Sequence, residues 1–172
     1  MSKIDLFLDR DGTLIEDPGY ISSPDSVVFI KGVLDSLREF KDRNYRLHLV
    51  SNQSSVGRKI ISKEQFLRID ARFQEILSKN SITFDTVNYC LHTPSQNCVC
   101  RKPKTGLFLE VQARYPLERK YCGMIGNSKS DQEAANNYGI NYWNVGGTDG
   151  ESFTVQKDLI LSHFERVLSG AE

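Results

Sequence analysis

Short apolar runs alternate with amphipathic stretches along this chain, and that alternation carries most of the information about its fold. Five runs read as strands: Asp5–Leu8, Arg46–Ser51, Thr86–Cys90, Tyr121–Ile125 and Ile140–Val145. Between them Val33, Leu34, Leu37 and Phe40 keep helical spacing, as do Phe66, Ile69, Phe73, Ile76 and Leu77, so both sets are read as core-facing stripes. Strand-like runs separated by helical ones predict a parallel α/β sheet. Ser128 or Ser130 is placed to cap a helix that continues through Tyr138, where Gly139 can take the left-handed C-terminal position before the next strand. A last helix near Val155–Leu168 is expected to show Val155, Leu159, Phe164 and Val167 on one face. The stretch 15–30, with two prolines and a glycine, reads as an extended or hairpin-like excursion that can cover a site as a flap. Loops that follow parallel strands gather at the carboxyl edge of the sheet, where ligands bind.

Composition narrows the picture. A length of 172 residues suits a single domain spanning 1–172. Lys plus Arg and Asp plus Glu number 22 each, so there is no global positive field to gather nucleic acid, and any anion site must be local. The N-terminal stretch MSKIDLFLDRDGTL has too short an apolar run for a signal peptide, and no stretch approaches the roughly 20 apolar residues of a membrane span. A cytoplasmic protein is expected. Three of the four cysteines fall within positions 90–100, and in a reducing compartment such clustering points to metal rather than to a disulfide framework.

The segment 6–14, LFLDRDGTL, runs an apolar strand into two aspartates one residue apart and then a Gly-Thr turn. Residues two apart on a strand project to the same side, so Asp9 and Asp11 can face one site, and Gly12 lets the chain bend there. One carboxylate can attack a phosphoryl group while the other handles protons, and a divalent cation with oxygen ligands would let a carboxylate approach an anionic phosphate. After the second strand, Ser51, Asn52, Gln53, Ser54 and Ser55 offer small polar donors suited to phosphate oxygens. Arg101 and Lys102 concentrate positive charge, the lysine as a point charge and the arginine as a two-pronged fork for a second anion. The run Ile125-Gly126-Asn127-Ser128-Lys129-Ser130-Asp131 places an amide oxygen and a carboxylate around a helix start. Cys90 and His92, followed after five residues by Cys98 and Cys100, make a compact set of three thiolates and one imidazole that suits tetrahedral structural zinc on a loop spanning 90–100. Cys122, His48 and His163 are read as structural or surface residues.

In this order DRDGT, SNQS, RKP and GNxxxD resemble the four motifs of the haloacid dehalogenase (HAD) superfamily of aspartate-nucleophile phosphatases, over roughly Lys3 to Gly147. The resemblance implies a Rossmann-like fold, a central parallel sheet with helices on both faces and no large cap domain. It also implies Asp9 as nucleophile, Asp11 as general acid/base, Ser51 and Lys102 on the transferring phosphoryl, and magnesium held by Asp9, the Asp11 backbone carbonyl and the acidic fourth motif, here Asn127 and Asp131. Asn127 departs from the family's usual aspartate and removes one negative charge from that site. The zinc loop joined to Cys100-Arg101-Lys102-Pro103 resembles two groups within the superfamily, the D-glycero-D-manno-heptose-1,7-bisphosphate phosphatases and the histidinol-phosphate phosphatases. Asp17-Pro18-Gly19-Tyr20-Ile21 is similar to the Asp-x-Gly-Tyr-Val signature of the heptose group. A Mg²⁺- and Zn²⁺-binding phosphatase acting on a sugar bisphosphate at C7 is therefore expected, monomeric and without nucleic-acid or membrane partners, with Arg101 and Arg58 or Lys59 as anchors for the second phosphate. Glu16 and Asp17 on the flap keep histidinol phosphate open as the alternative, and Asn127 keeps open a catalytically inactive phosphate-binding module.

Overall fold

The computed structural model describes residues 3–146 and 151–171; Met1 and Ser2 of the N-terminal stretch, and Gly147 at the end of the resemblance, lie outside them. Five strands form one sheet: β1 (Asp5–Leu8), β2 (Arg46–Asn52), β3 (Thr86–Cys90), β4 (Cys122–Gly126) and β5 (Asn141–Asn144). All pair in parallel, in the order β3-β2-β1-β4-β5. The expected strands are thus all present. Their ends differ by a residue or two, and Tyr121 belongs to a short 3-10 turn, Arg119–Tyr121, ahead of β4.

Six helices accompany the sheet: α1 (Val33–Asp42), α2 (Ser54–Gly57), α3 (Lys63–Lys79), α4 (Gly106–Gln112), α5 (Lys129–Tyr138) and α6 (Glu151–Ser169). Alternation along β1 sorts them onto two faces. Leu6 and Leu8 join Leu37 and Phe40 of α1, Phe66, Ile69 and Phe73 of α3, and Phe153, Ile160 and Phe164 of α6 in one core. Phe7 points the other way and packs with Leu107, Phe108 and Val111 of α4 and Ala134, Ala135 and Tyr138 of α5 in a second. The expected helix at 128–139 has Ser128 as its N-cap and Gly139 at φ 80° as its left-handed C-cap. No helix among the described residues is long and apolar enough to cross a membrane.

The expected face of the last helix is corrected by the structure. Val155 and Leu159 are exposed, whereas Phe153, Ile160, Leu161 and Phe164 are buried. At about 3.6 residues per turn, Phe164 lies half a turn away from Val155, so the four residues first grouped together do not share a stripe.

The amino end of the sheet is held by a buried ionic network. Asp5, 1% exposed, accepts from Arg46 through both oxygens (2.6 and 2.8 Å) and contacts His48 Nε2 at 2.9 Å. His48 Nδ1 in turn contacts Thr86 Oγ1 at 3.0 Å, which joins β1, β2 and β3 through side chains. Removing one member of a buried ionic group leaves the others without compensation. Asp5→Ala is therefore expected to destabilise the fold by about 3–5 kcal/mol, read by denaturant unfolding, while the protein that remains folded keeps its catalytic rate because this network stands at the sheet end opposite Asp9.

Candidate active site

Strand order reverses between β1 and β4, and the crevice at the carboxyl ends of those strands is where the candidate residues meet. Asp9 follows β1 directly; its N–H donates to the Ile125 carbonyl at 3.0 Å and extends the β1–β4 ladder. The chain then turns on the Arg10 carbonyl, which accepts from the N–H groups of Leu14 (2.8 Å) and Ile15 (3.1 Å). Gly12 has φ 72°, and a Cβ there would stand 2.1 Å from Asn127 Nδ2, so both backbone and space require glycine.

A cavity of about 260 Å³ opens at this crevice, lined by Asp9, Asp11, Ser51, Lys102, Asn127 and Asp131 among others. Within it Lys102 Nζ donates to Asp9 Oδ1 at 2.7 Å and to Asp131 Oδ1 at 2.6 Å. Lys102 is 2% exposed and Asp131 1%. Burial alone would depress the ammonium, but Asp9 and Asp131 outweigh it and hold it above its ordinary value. Burial lifts the Asp9 carboxyl to about 6; Lys102 opposes the rise, and Asp131 and Asp11 add to it.

The loop after β2 acts differently from a simple phosphate cradle. Asn52 accepts from the Lys102 N–H at 3.0 Å and donates from Nδ2 to the Lys102 carbonyl at 3.1 Å, clasping the backbone of the lysine from both sides. Gln53 donates to Asp11 Oδ2 at 2.7 Å and to Ser51 Oγ at 3.1 Å. Both are expected to bind substrate and both line the cavity beside Ser51, while their amides also engage Asp11, Ser51 and the Lys102 backbone.

Asp131, expected as a magnesium ligand, gives Oδ1 to Lys102, while Oδ2 accepts from the Ser128 N–H (3.0 Å) and hydroxyl (2.7 Å) in a helix capping box. A Cβ on Gly126 would stand 2.5 Å from Asp131 Oδ2, which shows how closely this carboxylate packs on the end of β4. Beside Asp131, the oxygen donors placed for a hard cation are those of Asp9, the Asp11 carbonyl and Asn127 Oδ1, which also accepts from the Thr13 hydroxyl at 3.3 Å. Arg58 and Arg101 do not line the cavity. Arg58 is exposed at the end of α2, where the chain turns through Lys59 at φ 59°, and Arg101 Nη1 reaches the His92 carbonyl at 3.4 Å. The flap is hairpin-like, as expected. Glu16 N–H donates to Val28 (2.9 Å) and Ile30 N–H to Leu14 (3.0 Å), and Asp17, Gly19, Tyr20 and Ile21 at its tip line the cavity. The sequence reading passed over Arg10 and Thr13. A charged residue in an apolar strand end, alternating with two aspartates, was the signal that Arg10 would need buried partners.

The cysteine and histidine set converges. Cys90 Sγ lies 3.6 Å from both Cys98 Sγ and His92 Nδ1, and Cys100 Sγ lies 3.4 Å from Cys98 Sγ and 3.3 Å from His92 Nδ1. Ligands about 2.0–2.3 Å from a shared tetrahedral zinc stand roughly 3.3–3.8 Å apart, so these four fit a closed zinc site. Cys122 is buried in β4 and its thiol donates to the Glu118 carbonyl at 3.2 Å, as suits a structural residue.

The sequence profile of the polynucleotide kinase 3 phosphatase family matches residues 3–144. The histidine biosynthesis bifunctional protein HisB of Legionella pneumophila (strain Lens) is 35% identical over 150 residues, covering 86% of this chain; the chain spans only 42% of that protein's length. The D-glycero-beta-D-manno-heptose-1,7-bisphosphate 7-phosphatase of Haemophilus influenzae is 37% identical over 135 residues, covering 75% of this chain and 73% of the relative. The crystal structure of D,D-heptose 1,7-bisphosphate phosphatase from B. bronchiseptica, complexed with magnesium and phosphate, is similar with a TM-score of 0.79 and 26% identity, covering 89% of this chain and 86% of that one.

The Asn52 clasp makes a direct prediction. Asn52→Leu frees the Lys102 backbone without touching its side chain, and a displacement of about 1 Å in a catalytic group lowers turnover on the order of 100-fold. The expected result in steady-state kinetics is a fall in kcat approaching that size with a smaller change in KM.

Proposed function

Because the chain belongs to the polynucleotide kinase 3 phosphatase family, and its relatives and structural neighbours are HAD-type phosphatases, we propose that it removes the C7 phosphate from D-glycero-D-manno-heptose 1,7-bisphosphate through an aspartyl-phosphate on Asp9. The observation that carries the reading is the buried Lys102 ammonium held 2.7 Å from Asp9 and 2.6 Å from Asp131 at the mouth of β1. The relatives named for the heptose bisphosphate support the substrate. None of the four cysteines is disulfide-bonded, which suits a reducing, cytoplasmic setting, and the protein acts as a monomer in this reading.

With Lys102 on Oδ1, the other oxygen of Asp9 attacks phosphorus in line with the departing oxygen. Lys102 offsets charge on the equatorial phosphoryl oxygens, and Ser51 donates to one of them. Asp11 gives a proton to the leaving oxygen in the first step and takes one from water in the second. Asp9, the Asp11 carbonyl and Asn127 would hold magnesium, which when bound would supply the positive charge that lets carboxylate and phosphate approach. Asp131 serves by holding Lys102. Cys90, His92, Cys98 and Cys100 would hold a zinc ion that pins the loop preceding Lys102, and with four protein ligands that ion would be structural.

A second reading, histidinol phosphate, is favoured by one feature: Lys102 is the only cationic side chain among the described residues lining the cavity, and Asp17 lies at its mouth. Turnover of the two substrates by the purified protein decides between them. The heptose reading predicts the higher kcat/KM on the bisphosphate; a higher value on histidinol phosphate replaces it with the second. Elemental analysis is expected to find one zinc per chain, and a zinc-free protein of full activity would contradict the structural site. Asn127→Asp restores a carboxylate among the oxygen donors, so calorimetric titration should show tighter magnesium binding, on the order of tenfold, with a matching fall in the magnesium needed for half-maximal rate.

A further inference from the structure

Between the two aspartates of the first motif lies a buried guanidinium that the reaction above does not use. Arg10 is 1% exposed. Its Nε donates to Asp11 Oδ1 at 2.7 Å, and its Nη2 reaches Asp11 Oδ2 at 3.3 Å and Gln53 Oε1 at 2.8 Å. Gln53 closes the ring through Nε2, which donates to Asp11 Oδ2 at 2.7 Å and to Ser51 Oγ at 3.1 Å. Both hydrogens of that amide are committed inside the protein.

The guanidinium is seated against two aromatic rings. Its central carbon stands 5.8 Å from the Phe66 ring centre and 5.5 Å from that of Tyr89, and the two rings meet edge to face at 5.0 Å. Arg10 Nη1 is buried without a hydrogen-bond partner among the described residues. A buried donor left unmade is destabilising, so stability alone does not account for a guanidinium here. A planar fork set on a carboxylate does account for it, because two fixed donors hold the acceptor in one orientation.

We propose that Arg10 and Gln53 are positioning residues for Asp11, together holding its carboxylate in the single orientation from which it exchanges a proton with the leaving oxygen and with water. The inference rests on the proton-transfer role given to Asp11. It has a consequence that a purely structural role does not. An aryl phosphate departs as a stable phenolate and needs little help from an acid, whereas an alkyl phosphate departs as an alkoxide and needs the proton. Disorder at Asp11 should therefore slow alkyl esters selectively.

The test compares kcat for p-nitrophenyl phosphate and for a simple alkyl phosphate in the wild type, Arg10→Lys, Gln53→Leu, Asp11→Asn and the Asp11→Asn/Gln53→Leu double variant. The expected result is a loss on the alkyl ester at least tenfold larger than on the aryl ester in Arg10→Lys and Gln53→Leu, with KM little changed. Gln53→Leu should add no further alkyl-selective loss in the Asp11→Asn background, since residues acting through one group are not additive, whereas any loss through its bond to Ser51 Oγ falls on both esters alike. Gln53→Leu carries the test alone if the buried Arg10 variant fails to fold. Equal losses on both esters in the single variants, or a further alkyl-selective loss in the double variant, would overturn the positioning role while leaving that of Asp11 intact. An Asp11→Asn variant with undiminished alkyl turnover would overturn the role of Asp11 and this inference with it.

Discussion

A single buried ammonium organises this site. Lys102 is nearly inaccessible, and an isolated cation there would be strongly unfavourable; two carboxylates within 2.7 Å make its burial tolerable. Those carboxylates come from different places in the chain. Asp9 follows β1 and Asp131 lies in the first turn of α5, while Lys102 itself arrives from the loop beyond β3. The ion group therefore fixes three loops relative to one another at the point where strand order reverses. Any shift of one loop leaves a buried charge unpaired, so the arrangement is held to a narrow geometry before a substrate arrives.

Around that group the polar side chains divide into those that face a ligand and those that hold the ones that do. Asn52 clasps the lysine backbone, Gln53 and Arg10 hold Asp11, and Ser128 holds Asp131. This division explains why a cavity with so many polar residues leaves few free donors: most are engaged with each other. It also accounts for the charge balance. Asp9, Asp11 and Asp131 face only Lys102 and Arg10, which leaves the site short of positive charge and suited to a divalent cation before it can accept a phosphate dianion. Asn127 lowers that demand by one charge relative to the usual family pattern.

The strands and the first two helical stripes were legible because their apolar periods are long and regular, and the place of the candidate site was legible because Asp9, Asp11, Lys102 and the cysteine-histidine set sit in compact motifs that the fold brings together. What stayed hidden was direction. Asn52 and Gln53 offer the same donors whether they face a phosphate or a neighbouring side chain, and only the fold shows that the first turns to the Lys102 backbone and the second to Asp11. Arg58 and Arg101 lie close in sequence to site residues, yet Arg58 stands exposed at the end of α2 and Arg101 reaches the His92 carbonyl. The last helix was legible but its buried face was not, because Val155 and Phe164 are both apolar but nine residues apart, a spacing that places them on opposite sides.

The central claim is that Asp9 carries the phosphoryl group covalently. Borohydride reduces an acyl phosphate but not a free carboxylate, so the protein quenched during turnover, treated with borohydride and digested should yield a peptide in which Asp9 has become homoserine. The account predicts that modification at Asp9 alone, dependent on substrate. Unmodified Asp9 under conditions of active turnover, or reduction at another aspartate, would contradict it.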